Sequence, residues 1–179
     1  MFLLLITIGW AIGTYNTIVN AEQDIKGMWA DIKTEYQRRI DLLGNLVKSV
    51  KSYKGFEQQT LTEIAQARAG LSKAKDNKTI KEAVSKIENV GMKLQAQFEA
   101  YPDLKAMPLY EDLNHNILET ENRINQARCE LNNMVEDYNT YINMFPTFIM
   151  AKNIYGKKNE VFWESNDPRS KKDSYELDM

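Results

Sequence analysis

The stretch Tyr36–Tyr53, YQRRIDLLGNLVKSVKSY, decides the fold. With Leu43 set at zero and about 100° turned per residue, Tyr36, Ile40, Val47 and Val50 fall within about 60° of it. Arg38, Asp41, Asn45, Lys48 and Ser52 gather on the opposite side. This is an amphipathic helix with one apolar stripe. Traced backwards, the stripe takes in Ile32, Trp29 and Ile25 and meets no proline before the apolar start of the chain. One helix is therefore expected to run from the N-terminus to about Tyr53, with Lys54-Gly55 as its stop.

Residues Met1–Ile12 read MFLLLITIGWAI. Phe2, Leu3, Leu4, Leu5, Ile6, Ile8 and Ile12 favour transfer into lipid, and Trp10 and Tyr15 suit a membrane interface. The strongly apolar part covers about 15 residues, or ~22 Å of helix, against a hydrocarbon core of ~30 Å. A single-pass anchor over residues 1–15 is the expectation. The alternatives are a cleaved signal peptide, which would lack its usual basic n-region, and a helix buried in a soluble core. Lys26, Lys33, Arg38 and Arg39 follow the run. The positive-inside rule then puts a short N-terminus outside the cell membrane and the helical domain in the cytoplasm. The expected partners are the lipid bilayer and other membrane proteins.

Glycine and proline are scarce, with 8 and 4 copies in 179 residues, so turns are few and helices long. A second helix is expected over about Glu57–Lys75, with Leu61, Ile64 and Leu71 on one face, and Asp76-Asn77 as a turn. Thr79-Ile80-Lys81-Glu82 fits a capping box at the start of a third helix, which carries Ile80, Val84, Ile87, Leu94, Phe98 and Tyr101 and closes before Pro102. Pro108 suits the first turn of a fourth. Its stripe runs through Leu109, Leu113, Ile117, Thr120, Ile124, Ala127, Leu131, Val135, Tyr138, Ile142 and Phe145 to Pro146. Thr147–Tyr155 adds a short helix. The fold expected is all-α: an elongated antiparallel four-helix bundle over residues 16–155, with an N-terminal transmembrane helix continuous with the first long helix. Residues 156–179 are mixed in charge and read as a polar, disordered tail with a docking point at Phe162-Trp163. Stripes this regular would also let two copies associate as a homo-oligomer.

A net charge of −2 argues against nucleic acid, which needs a concentrated basic face. Cys129 is the sole cysteine and His115 the sole histidine, so a zinc site built on them is excluded. Cys129 is expected in the core as a small hydrophobe. Some charges face inward on the helical wheel. Arg39 lies inside the apolar arc of the first helix, and Glu57 and Arg68 lie on the core side of the second. Glu121, Arg128, Asn132 and Asn139 line one flank of the fourth. An unpaired buried ion costs about 3–5 kcal/mol, so inter-helix ion pairs are expected among Arg39, Glu57, Arg68, Glu121 and Arg128. The exposed line Arg38, Asp41, Asn45 and Lys48 is the expected partner surface. An alternative use of the inward charges is a polar pocket for a small anionic molecule. No nucleophile-base-orienter set, phosphate loop or inward Glu-x-x-His pair is present, so no enzyme, cofactor or metal site is expected.

Arg38-Arg39-Ile40-Asp41-Leu42-Leu43-Gly44-Asn45-Leu46-Val47 resembles the LemA family. So do Tyr15-Asn16, Ala67-Arg68, Tyr101-Pro102-Asp103-Leu104-Lys105-Ala106, Glu119-Thr120-Glu121-Asn122-Arg123-Ile124, Ala127-Arg128, Tyr138-Asn139, Phe145-Pro146 and Ala151, in that order. The resemblance implies an N-terminal transmembrane helix with a short outer terminus, an elongated bundle of antiparallel helices, and no known enzymatic activity. The family's genes neighbour those of membrane proteases and other membrane proteins, an association with membrane maintenance. This chain departs from the pattern at Gly44, where a proline is usual, at Phe56, where a histidine is common, and at Leu131, which stands for a tyrosine.

Overall fold

The computed structural model describes residues 2–50, 58–101 and 108–163. Four α-helices follow one another: α1 (Phe2–Ser49), α2 (Gln58–Lys73), α3 (Asn77–Ala100) and α4 (Pro108–Asn143). A π-helix spans Ile149–Ile154 where a short helix was expected. Among the described residues there is no strand.

Helix ends follow local chemistry. Asp76 caps α3, accepting from the Thr79 N–H at 3.0 Å, while the Thr79 hydroxyl accepts from the Asp76 N–H at 3.2 Å. The capping box therefore sits three residues earlier than the Thr79–Glu82 frame. A carboxylate is the stronger acceptor at the cap, which leaves the threonine to close the box from within. At the other end Tyr101 closes α3, its N–H bonded to the Phe98 carbonyl, and stands 40% exposed rather than in the core stripe.

The chain divides into two compact units, with both boundaries inside long helices. In the unit Gly27–Ala127, α1 buries Trp29, Ile32, Tyr36, Ile40, Leu43 and Val47. Buried in the same unit are Ile64 and Leu71 of α2, Val84, Ile87, Leu94 and Phe98 of α3, and Ile124 of α4. Each such side chain contributes roughly 1.5–3 kcal/mol on leaving water. Directions follow from cross-contacts. Lys33 donates to the Ala74 carbonyl at 2.7 Å while Gly44 lies against Ile64 and Arg68, so α2 runs antiparallel to α1. Lys81 lies over Trp29 and Glu88 accepts from Tyr36, so α3 runs parallel to α1. Phe98 packs on Tyr110 with ring centroids 4.9 Å apart, joining α3 to α4.

The other unit combines α1 up to Lys26 with the chain from Arg128 onward. Ile18 and Ile25 of α1 are buried in this unit, as are Leu131, Val135, Tyr138 and Ile142 of α4, with Ala151 and Trp163. The Tyr155 ring meets Tyr15 edge-on at 5.2 Å, and its hydroxyl donates to the Ala11 carbonyl at 2.9 Å. Gly156 then takes φ 63°, a left-handed conformation that suits glycine, and Lys157 N–H donates to the Ala151 carbonyl at 2.8 Å. That turn sends residues 157–163 back along α4, and Trp163, of the expected docking point Phe162-Trp163, is buried. Cys129, expected in the core, is exposed, and Phe145 is 76% exposed because α4 ends two residues before it.

The transmembrane expectation is corrected: among the described residues, no helix is long and apolar enough to cross a membrane. The apolar stretch that starts α1 gives way within a few turns to Thr14, Asn16, Thr17, Asn20 and Glu22. Its side chains are nevertheless turned outward, with Phe2 and Leu3 78% exposed and Leu5, Ile6, Ile8, Trp10 and Ile12 all exposed; the Leu4 side chain is outside the described set.

Candidate interaction surfaces

The residues expected to pair between helices separate into three environments. Arg39 and Glu121 face each other, Nη2 to Oε2, at 3.6 Å, with the arginine side chain 15% exposed and the glutamate 47%. The distance makes this an ion pair rather than a hydrogen bond, and the exposed glutamate limits its worth to about 1 kcal/mol or less. Gly91 of α3 lies beside the guanidinium: a Cβ there would stand in ordinary contact, 3.8 Å from Arg39 Nη2.

Arg68 departs from its expected place. Its side chain is exposed and its Nη2 contacts Asp41 Oδ1, a residue expected on the far solvent face of α1. α2 lies close to α1 at Gly44, which stands against Arg68 and Ile64, and from there Arg68 reaches Asp41. Arg128 lies with its guanidinium carbon 4.9 Å from the centre of the Trp163 ring, a cation–π contact at a position expected to form an ion pair. Glu57 lies outside the described residues.

Arg38, Asn45 and Lys48 are exposed, and Asp41 is half-buried by its pairing. Arg38, Asp41 and Asn45 line an open groove of about 540 Å³ between α1 and α2, together with Lys33, Gln37 and Ser72. Gln37 donates to Asp41 at 3.1 Å, so the carboxylate is held from two sides. Arg38 also helps hold the Glu119 carboxyl below its usual range, behind the larger effect of Arg123, whose Nη2 lies 2.6 Å from Glu119 Oε1.

Two further arrangements were not read from the sequence. The first joins Glu22, Tyr138 and Lys157. Glu22 accepts from the Tyr138 hydroxyl at 3.0 Å and from Lys157 Nζ at 2.8 Å on each oxygen. Burial, followed by the Glu22 hydrogen bond and charge, pushes the Tyr138 phenol well above its ordinary pKa. The second is a pair of asparagines on α4. Asn139 donates to the Glu160 carbonyl at 3.0 Å and accepts from the Glu160 N–H at 2.8 Å. Asn132 does the same with Trp163, at 3.3 and 2.7 Å. Their spacing of seven residues on one flank was visible, but the chain they hold was not. Among the described residues, no group of three or more His, Cys, Asp or Glu could hold a metal ion.

A model of the LemA family matches residues 28–174. Protein LemA of Metamycoplasma hominis is 31% identical over 167 residues, covering 93% of this chain and 76% of that protein. Magnetosome protein MamQ 2 of Paramagnetospirillum magneticum and Magnetosome protein MamQ of Magnetospirillum gryphiswaldense are each 23% identical over 176 residues. Those matches cover 84% of this chain and 65% of each MamQ protein.

Proposed function

The chain belongs to the LemA family, and on that footing we propose that it is a non-catalytic helical module that seats one end in a membrane and uses its helix faces to hold other proteins. The observation that carries the membrane part is the outward apolar surface at the start of α1. Seven large apolar side chains between Phe2 and Ile12 are 40–78% exposed. In the same unit α4 runs antiparallel to α1, as the Tyr138–Glu22 bond and the shared surface of Thr17 and Tyr141 require. The turn after α4 therefore lies toward the start of α1, and it adds exposed Phe145, Phe148 and Ile149. Apolar side chains on two segments at one end, with Trp10 and Tyr15 behind them, suit insertion into a bilayer surface. The Arg38, Asn45 and Lys48 face of α1 is the proposed partner surface for neighbouring membrane proteins or a second copy, with the bundle on the cytoplasmic side.

Flotation of the full chain with phosphatidylcholine–phosphatidylglycerol vesicles tests this. The protein should rise with the vesicles, and a Phe2→Lys, Ile6→Lys, Phe145→Lys variant of unchanged helicity should stay behind. Wild-type protein that remains in the dense fraction would sink the membrane part. Protease shaving of intact cells tests the orientation, because digestion of the bundle from outside contradicts it.

A second reading is a small anion held in the α1–α2 groove, supported by Lys33 and Arg38 on its wall. Calorimetric titration with phosphate and citrate, compared between wild type and Arg38→Ala, separates it from the first.

A further inference from the structure

The asparagine pair on α4 forms a ladder that reads main chain. A side-chain amide carries one donor edge and one acceptor, so it can satisfy both polar groups of a single extended residue. Asn139 does this with Glu160 and Asn132 with Trp163. Their spacing matches the ligand: seven residues of helix rise about 10.5 Å, and three residues of extended chain span about 10 Å. The held segment runs antiparallel to α4.

Before the first rung, Lys157 pairs with Glu22 and Asn159 accepts from Asn143 at 3.1 Å. Between the two rungs, Val161 is 64% exposed and Phe162 41% exposed, whereas Trp163 is 6% exposed under the Arg128 guanidinium. The groove therefore selects an extended backbone and one large aromatic residue at the Arg128 site. The segment joins the rest of the unit through Gly156, the one described residue in the left-handed region and a natural pivot.

We propose that this flank of α4 is a binding groove for an extended segment of a partner protein that carries a large aromatic residue at the Arg128 site, and that residues 157–163 occupy it in cis until displaced. This deepens the interaction reading above and does not depend on its membrane part. The tethered segment competes at high effective concentration, so a free peptide should bind wild type weakly and gain once the cis aromatic is removed.

The test uses the full chain without lipid and a fluorescent peptide of residues 157–163, followed by anisotropy. Trp163→Ala should bind the peptide at least about tenfold more tightly than wild type. Adding Asn132→Ala and Asn139→Ala should abolish that gain, as should replacing the peptide's last residue by alanine. Helicity by circular dichroism confirms that each variant is folded. A folded Trp163→Ala protein that binds no better than wild type would overturn the proposal, as would binding indifferent to both asparagines. A wild-type dimer that disappears in Trp163→Ala would instead assign the groove to arm exchange between copies. Failure here leaves the flotation result standing, so the two readings are judged separately.

Discussion

Tyr138 donates its hydroxyl to Glu22 at 3.0 Å across 116 residues of chain, and Lys157 closes on the same carboxylate. The phenol is thus held protonated, and its pKa is raised above the ordinary 10.0 by burial first and by Glu22 second. A raised folded-state pKa means that the contribution to stability is complete below the unfolded value and is lost as pH rises through the folded one. Thermal stability of wild type should therefore fall off above about pH 10, and Tyr138→Phe should show a weaker decline. At neutral pH the variant should lose about 1 kcal/mol, since one hydrogen bond to a part-buried carboxylate disappears. Parallel alkaline profiles would contradict the assignment.

Tyr36 is fully buried and its hydroxyl donates to Glu88 Oε1 at 2.7 Å, tying α1 to α3. Tyr36→Phe keeps the ring and should cost about 1–2 kcal/mol. Tyr36→Ala opens a cavity as well and should cost about 3–5 kcal/mol. Urea denaturation of the two variants reads the difference.

Gly44 sits in the last turns of α1, where α1 and α2 approach. A Cβ there would meet Arg68 Nη2 and Ile64 Cγ2 at 3.6 Å, ordinary contact distance. Gly44→Ala should therefore stabilise by about 0.5–1 kcal/mol through helix propensity. Gly44→Leu overfills the same space and should destabilise by about 1–3 kcal/mol. Midpoints of chemical denaturation should move in opposite directions.

Asp76 caps α3, and the Thr79 backbone N–H, followed by its side chain, holds the carboxyl below its ordinary 3.8. A lowered folded-state pKa contributes stability above the unfolded value that is lost as pH falls through the folded one. Helicity of wild type should thus drop in strongly acidic solution with a component that Asp76→Asn lacks. Asp76→Ala should fray the start of α3 at neutral pH, seen as faster amide exchange at Thr79 and Ile80.

The helices were legible because their signal is local. Ile25, Trp29, Ile32, Tyr36, Ile40 and Leu43 share a face at any register of partners, and all are buried. The place of Asp41 was not legible. It lies opposite the stripe on its own helix, but the closeness of α2 at Gly44 brings Arg68 to it. A helical wheel describes one helix, whereas a salt bridge depends on the distance between two.

What the sequence by itself determined is the all-helical class, the apolar stripes, the family and the flank that carries Arg128, Asn132 and Asn139. Each rests on periodicity or motif, which short stretches of chain carry in themselves. Only the tertiary structure decided that Trp163 is buried against that flank, that Glu22 receives Tyr138 and Lys157, and that the apolar start of α1 faces outward. Those outcomes depend on which distant segments compete for the same surface, and side-chain reach across a helix interface settles that competition.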